Sequence, residues 1–167
     1  MDHDAAQLPT LVVGPADVVR LRREVEALDI YLRQAAVRAE KTHAEVKLPK
    51  TSRMLDEVIR LNKLDLTSGD YRQATLNWLN WLLDGAPVVH VSFAADPSSA
   101  FTDRVVAWFR QNIHPQVLVT VGLQPTIAAG CVVRTPNKYF DLSLRSSFDT
   151  SRPILIEKLR SLTAHVG

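Results

Sequence analysis

The chain has 167 residues, 46% of them hydrophobic and 23% charged, and its 20 basic and 18 acidic side chains leave a formal net charge of +2. That balance suits a globular protein with a buried core and excludes disorder throughout. The lack of a Lys/Arg run argues against nucleic acid as a partner, the single cysteine, Cys131, rules out an intramolecular disulfide, and no long uncharged apolar stretch is available to span a bilayer.

In chain order, residues 1–14 read as a loose arm closed by Gly14-Pro15. The arm is acidic and short of the basic residues a secretory signal needs, so a cytosolic location is expected. Pro15 can open a helix, because its missing N–H is not needed in the first turn. No Gly or Pro intervenes before Pro49, and the apolar residues Val18, Leu21, Val25, Leu28, Leu32, Ala35 and Ala39 recur at intervals of 3 and 4. That is a heptad seam on one long helix, suited either to a partner helix or to packing on the chain's own domain. The flanking charges Arg22, Arg23, Glu24, Glu26, Asp29 and Arg33 do not select self-pairing. In a parallel homodimer Asp17 would face Arg22, but Glu24 would face Asp29.

Pro49 ends that helix, and Thr51 or Ser52 can cap a second one with the apolar face Met54, Leu55, Val58, Leu61 and Leu64. A third helix starts near Thr67 and Asp70, which have capping-box-like spacing, and Gly85 stops it. Trp78 and Trp81 lie three apart on one face of it, as core or as an interface.

From Pro87 the texture changes. PVVHVSF reads as a strand by its Val content. Asp96-Pro97 opens a helix with Phe101, Val105, Trp108 and Phe109 on its apolar side. PQVLVTVGL is a second strand, and TIAAGCVVRT is an apolar run ending in a Thr135-Pro136-Asn137 turn. KYFDLSLR is a third strand, with Phe140, Leu142 and Leu144 on one face and Asp141, Ser143 and Arg145 on the other. SRPILIEKLRSL is a closing helix with Pro153 in its first turn. The expected fold class is α/β of the α+β kind: a long helix and a helical hairpin, then a small strand-helix-strand-strand-helix domain. The expected divisions are 1–48 for the arm and heptad helix, 49–86 for the helical pair and 87–167 for the C-terminal domain.

The sequence is poor in chemistry. With six glycines and neither GxxxxGK[ST] nor GxGxxG, it has no loop to cradle nucleotide phosphates. None of its five histidines stands three to five residues from another, so a zinc site of the usual spacing is not expected. His90, alternating with Val89 and Val91, reads as a histidine on a sheet face, and Cys131 as a small buried hydrophobe. Ser143, His90 and Asp141 make a hydrolase triad only on paper, because no G-x-S-x-G elbow presents the serine. No catalytic, cofactor-binding or metal-binding residue is expected, and no cofactor.

PTIAAGCVVRTPNKYFDLSLRSSF resembles the C-terminal signature of the delta subunit of F-type ATP synthases (OSCP in mitochondria). That signature is a hydrophobic-Gly-Gly-hydrophobic strand, a short turn, a strand of the form hydrophobic-Asp-Gly-Ser-hydrophobic-Arg, and a helix. Ala129-Gly130 stands at the glycine pair and Phe140-Asp141-Leu142-Ser143-Leu144-Arg145 at the second strand, so Gly130, Asp141, Ser143 and Arg145 are the motif residues. The preceding HVSFAADPSSAFTDRVVAWFRQNI and QVLVTVGLQPTI are similar to the family's strand-helix-strand. The likeness covers roughly residues 87–160. Leu142 and Ala129 depart from the family's glycines, and a long heptad helix replaces its N-terminal helical domain. The helical half followed by a small α/β domain is also similar to the peripheral-stalk E subunit of V/A-type ATPases and to the stator of type III and flagellar export.

The resemblance implies a non-catalytic peripheral-stalk, or stator, subunit of a rotary proton-translocating ATP synthase. Its partners would be the b-type stalk helices and the alpha/beta catalytic head, and its place the inner face of the plasma membrane, held there through the complex. The interface residues expected are the seam Val18, Leu21, Val25, Leu28, Leu32, Ala35 and Ala39, together with Trp78 and Trp81.

Overall fold

A computed structural model describes residues 6–42 and 48–163; the side chains of residues 39–42, 145–147, 155 and 158–163 are also outside the description. In chain order the elements are α1 (Pro15–Thr42), α2 (Arg53–Asn62), α3 (Gly69–Gly85), β1 (Val88–Phe93), α4 (Ser99–Asn112), β2 (Leu118–Leu123), a 3-10 turn (Pro125–Ile127), β3 (Gly130–Arg134), β4 (Tyr139–Ser143) and α5 (Leu144–Thr163). The fold class is α+β, helices first and the sheet after them. Two units divide the chain: residues up to Val88 with Ala100–Val119, and Val89–Ser99 with Thr120 onward.

The first unit is built on α1. Asp17, in the first turn, accepts from the backbone N–H of Val13 at 3.0 Å and of Gly14 at 3.2 Å, reaching back to the residues just before the helix. Val18, Leu21, Val25 and Leu28 are buried in a cluster with Leu55 and Val58 of α2, Trp78, Leu79 and Leu82 of α3, and Leu118. The 3-4 spacing of the seam is therefore covered by the chain's own helices. α2 starts as expected: Ser52 Oγ accepts from Leu55 N–H at 3.2 Å, and Glu24 of α1 receives both the Ser52 N–H and its hydroxyl, at 2.6 and 2.7 Å. At the head of α3 no capping box forms. Ser68 takes the cap position, and Thr67 turns back to donate its N–H and hydroxyl to Asp65.

The arm before α1 is not loose over the residues described. Ala6, Leu8 and Val12 join the same core. Val13 C=O accepts from Val119 N–H at 2.8 Å, and a Cβ on Gly14 would come within 2.6 Å of the Val119 carbonyl, so only glycine permits that approach. The apolar side of α4 also differs from expectation. Val106 and Phe109 are its buried residues, whereas Trp108 is 55% exposed and Phe101 40%.

Most of the sheet, ordered β2-β1-β3-β4, lies in the second unit. β1 pairs antiparallel with β3 and β3 with β4, so the mixed sheet has its parallel pair at β2-β1, with a helical crossover as that pairing requires. Three sequence expectations change here. The apolar run after the 3-10 turn contributes a strand of its own, β3. β4 ends at Ser143, and α5 starts at Leu144, earlier than the expected helix start, which leaves Pro153 inside the helix. Lastly, the polar–apolar alternation of β4 does not make a half-buried strand. Phe140 and Leu142 are exposed because β4 is the outermost strand, while Ser143 is buried at its close approach to Gly130.

Candidate interaction surface

The motif residues of the C-terminal unit meet at one backbone junction. Gly130 has φ +91°, and a Cβ there would lie 2.4 Å from the Leu142 carbonyl oxygen and 2.9 Å from Ser143 Cα. A glycine is needed at that point on both counts: the left-handed backbone and the close approach of β4. Opposite it in register is Ser143, 5% exposed. The Asp141 carboxylate accepts from the Ser143 N–H at 2.9 Å, and Leu144 N–H, the first of α5, donates to the Ala129 carbonyl at 2.9 Å. Gly130, Asp141 and Ser143 thus fix how the chain leaves a strand and enters a helix. Arg145 belongs to α5, not to the strand, and its side chain lies outside the described residues.

What the junction supports is apolar and uncovered. On one face of the β3–β4 pair, Cys131 and Val133 are half-buried, and opposite them Leu142 and Phe140 are 62% and 47% exposed. Leu144 and Phe148, one turn apart on α5, are 51% and 67% exposed. Large apolar side chains thus stand exposed along an edge strand and the helix that follows it, which makes this the candidate interaction surface among the described residues. Arg134 and Lys138 stand exposed at the hairpin end. The Arg134 guanidinium lies 5.7 Å from the centroid of the Tyr139 ring, which holds it against the turn.

The interface expected on the first unit is largely occupied from within. Val18, Leu21 and Val25 are at most 1% exposed and Leu28 only 6%, so they have no surface left for a partner helix. Trp78 is fully buried and Trp81 packs partly against the same core. Leu32 is half-buried against that core and Ala35 is half-buried; the side chain of Ala39 lies outside the described residues. Beyond Leu32, α1 turns increasingly to solvent, with Val37 54% exposed.

The paper triad is not assembled. His90 stands opposite Arg134 and Ser143 opposite Gly130, four residues away along β3, a separation of roughly 13 Å at the rise of a strand. The Ser143 hydroxyl is on a buried residue, and Asp141 faces its backbone. Burial pushes the Cys131 thiol up, away from the thiolate form a nucleophile needs. Among the described residues no group of three or more His, Cys, Asp or Glu side chains is placed to hold a metal ion, and no helix is long and apolar enough to cross a membrane.

Two polar anchors of the first unit escape sequence reasoning. Arg72, 5% exposed, donates Nε–H to Asp29 at 2.7 Å and Nη1–H to the carbonyls of Leu66 and Thr67 at 2.9 and 2.7 Å. Arg110 donates to the carbonyls of Leu8 at 3.1 Å, Pro9 at 2.7 Å and Val117 at 3.4 Å, and also to that of Val12. Burial draws its guanidinium down to about 10. Neither arginine belongs to a motif, and their partners are set by the fold.

Compared with known proteins, the chain matches no protein-family model and no curated sequence.

Proposed function

We propose that the chain is a non-catalytic stator subunit of a rotary proton-translocating ATP synthase, joining the catalytic head to the stalk helices. One observation carries the reading. The residues that resemble the delta-subunit signature, Gly130, Asp141 and Ser143, form a close-packed strand-to-helix junction beside the exposed apolar side chains Phe140, Leu142, Leu144 and Phe148. A part that transmits torque needs such a face and has no need of a reacting group. The partner assigned to it is a b-type stalk helix lying along Phe140, Leu142, Leu144 and Phe148. The alpha/beta head is the second partner, and the chain is held at the inner face of the plasma membrane through the complex.

Affinity capture of the full chain from detergent-solubilised membranes of its own host tests this. The expected result is near-stoichiometric recovery of alpha, beta and stalk subunits. Recovery of the chain alone, from cells rich in synthase, would refute it. A V/A-type or export stator is the alternative, favoured by the mostly exposed stretch of α1 over residues 33–38, and the same capture separates the two by which subunits come down.

A further inference from the structure

The polar side of the sheet carries a hollow of about 360 Å³ lined by His90 and Ser92 of β1, Gln124 just after β2, and Val132 and Arg134 of β3. Register explains how these residues meet: His90 is paired with Arg134 and Ser92 with Val132, so all four share one face of adjacent strands. Gly122 of β2 borders the hollow at Ser92: a Cβ there would lie 3.4 Å from Ser92 Oγ, in van der Waals contact. Val132, 6% exposed, is the floor.

Every polar lining side chain can donate a hydrogen bond, and Arg134 brings a permanent charge in a planar fork. β1, β2 and β3 contain no acidic residue. The one carboxylate within the strands is Asp141 on β4, opposite Val132, and its Oδ1 is engaged by the Ser143 N–H at 2.9 Å. The hollow is therefore donor-rich, with the Arg134 cation on one side, the Asp141 carboxylate flanking its apolar floor and the Tyr139 ring behind Arg134. A carboxylate offers two acceptor oxygens to such a set; a phosphate monoester offers three and a second negative charge.

We propose that this hollow is a binding site for a small phosphate monoester, with the phosphate on Arg134, His90, Ser92 and Gln124 and the organic part over Val132. The site is separate from the apolar face of β4 and α5 and does not depend on the stator reading. The size of the hollow sits at the low end of small-molecule sites, which suits a one-ring or short-chain ester.

The test is a titration of the full chain with phenyl phosphate at constant ionic strength, followed by amide NMR, with benzoate and inorganic phosphate in parallel. The expected result is saturable shifts at His90, Ser92, Gln124 and Arg134, weaker for both other anions. Arg134→Gln should weaken binding by about tenfold or more, the usual effect of losing a charge-assisted pair. Gly122→Val, which sets a branched side chain against Ser92 and alters no charge, should also weaken it, so the outcome does not hang on one variant's folding. Shifts that never saturate, that spread over the surface, or that persist in both variants would overturn the site. Equal binding of benzoate or inorganic phosphate would overturn its assignment to a monoester. Because the isolated chain is used, failure here leaves the stator reading untouched, and a failed capture leaves this site untouched.

Discussion

Asn62 and Gln7, 55 residues apart, exchange a pair of hydrogen bonds: the Asn62 amide donates to the Gln7 carbonyl at 2.9 Å and its Oδ1 accepts from the Gln7 N–H at 2.8 Å. The side chain presents a donor and an acceptor side by side, as a neighbouring strand would, and so pins a segment that has no regular structure of its own. Asn62→Ala should lower stability by about 1 kcal/mol, the net worth of such bonds. Hydrogen exchange should show the larger effect, with the Gln7 amide losing protection while those of α3 keep theirs.

Arg110 holds the same segment further along. Its partners are backbone carbonyls, so removing the guanidinium leaves several acceptors buried together. Arg110→Ala should cost about 3 kcal/mol. Arg110→Lys should recover little, because an ammonium cannot reach carbonyls on Leu8, Pro9, Val12 and Val117 at once. Urea denaturation of the three proteins checks the order, and limited proteolysis should cut the two variants first within the arm.

The Arg72–Asp29 pair links stability to acid. The Arg72 hydrogen bond, foremost, and the nearby charge of Arg33 hold the Asp29 carboxyl below its ordinary value despite its burial. A carboxylate with a lowered folded-state pKa contributes stability that is fully present above its unfolded value, near 3.9, and lost as pH falls through the folded one. Asp29→Ala should cost about 3 kcal/mol at neutral pH by leaving the buried Arg72 charge without a carboxylate, held only by the Leu66 and Thr67 carbonyls. The cost should shrink steadily below about pH 4, as measured by denaturation at a series of pH values.

Gly130 carries the strand-to-helix junction. With φ +91° and the Leu142 carbonyl oxygen 2.4 Å from where a Cβ would be, Gly130→Ala must strain the backbone or push β4 off β3. The expected cost is about 2–3 kcal/mol. It should be local: amide shifts should change in β3, β4 and the first turn of α5, and remain in place in α1–α3.

The helical half was legible because its signals are local. The 3-4 spacing from Val18 to Leu28, the Ser52 cap and the Leu-rich faces of α2 and α3 each report a helix directly. Periodicity says that a stripe is covered without saying by what. The seam fits a partner helix as well as it fits α2 and α3, and only the fold distinguishes them. At Phe140 and Leu142 the same limit acts in reverse, since alternation marks an apolar face and the outermost place in the sheet leaves that face exposed. The early start of α5 had no sequence signal, because Ser143 and Asp141 organise the turn through the backbone of Ala129 and Gly130. Nor did the ordered arm, whose carbonyls are held by Asn62 and Arg110 from distant parts of the chain. Gly130, Asp141 and Ser143 are named in the sequence only by a resemblance; their convergence on one junction, and the exposed apolar side chains beyond it, required the structure.

The most direct measurement of the stator assignment is photo-cross-linking in living host cells from a photoreactive residue placed at Leu142, with an exposed position of α3, Gln73, as the comparison. The expected result is an adduct with a stalk-helix subunit of the ATP synthase from position 142 and none with that subunit from position 73. Adducts from position 142 confined to proteins outside the synthase, in cells where the synthase is abundant, would contradict it.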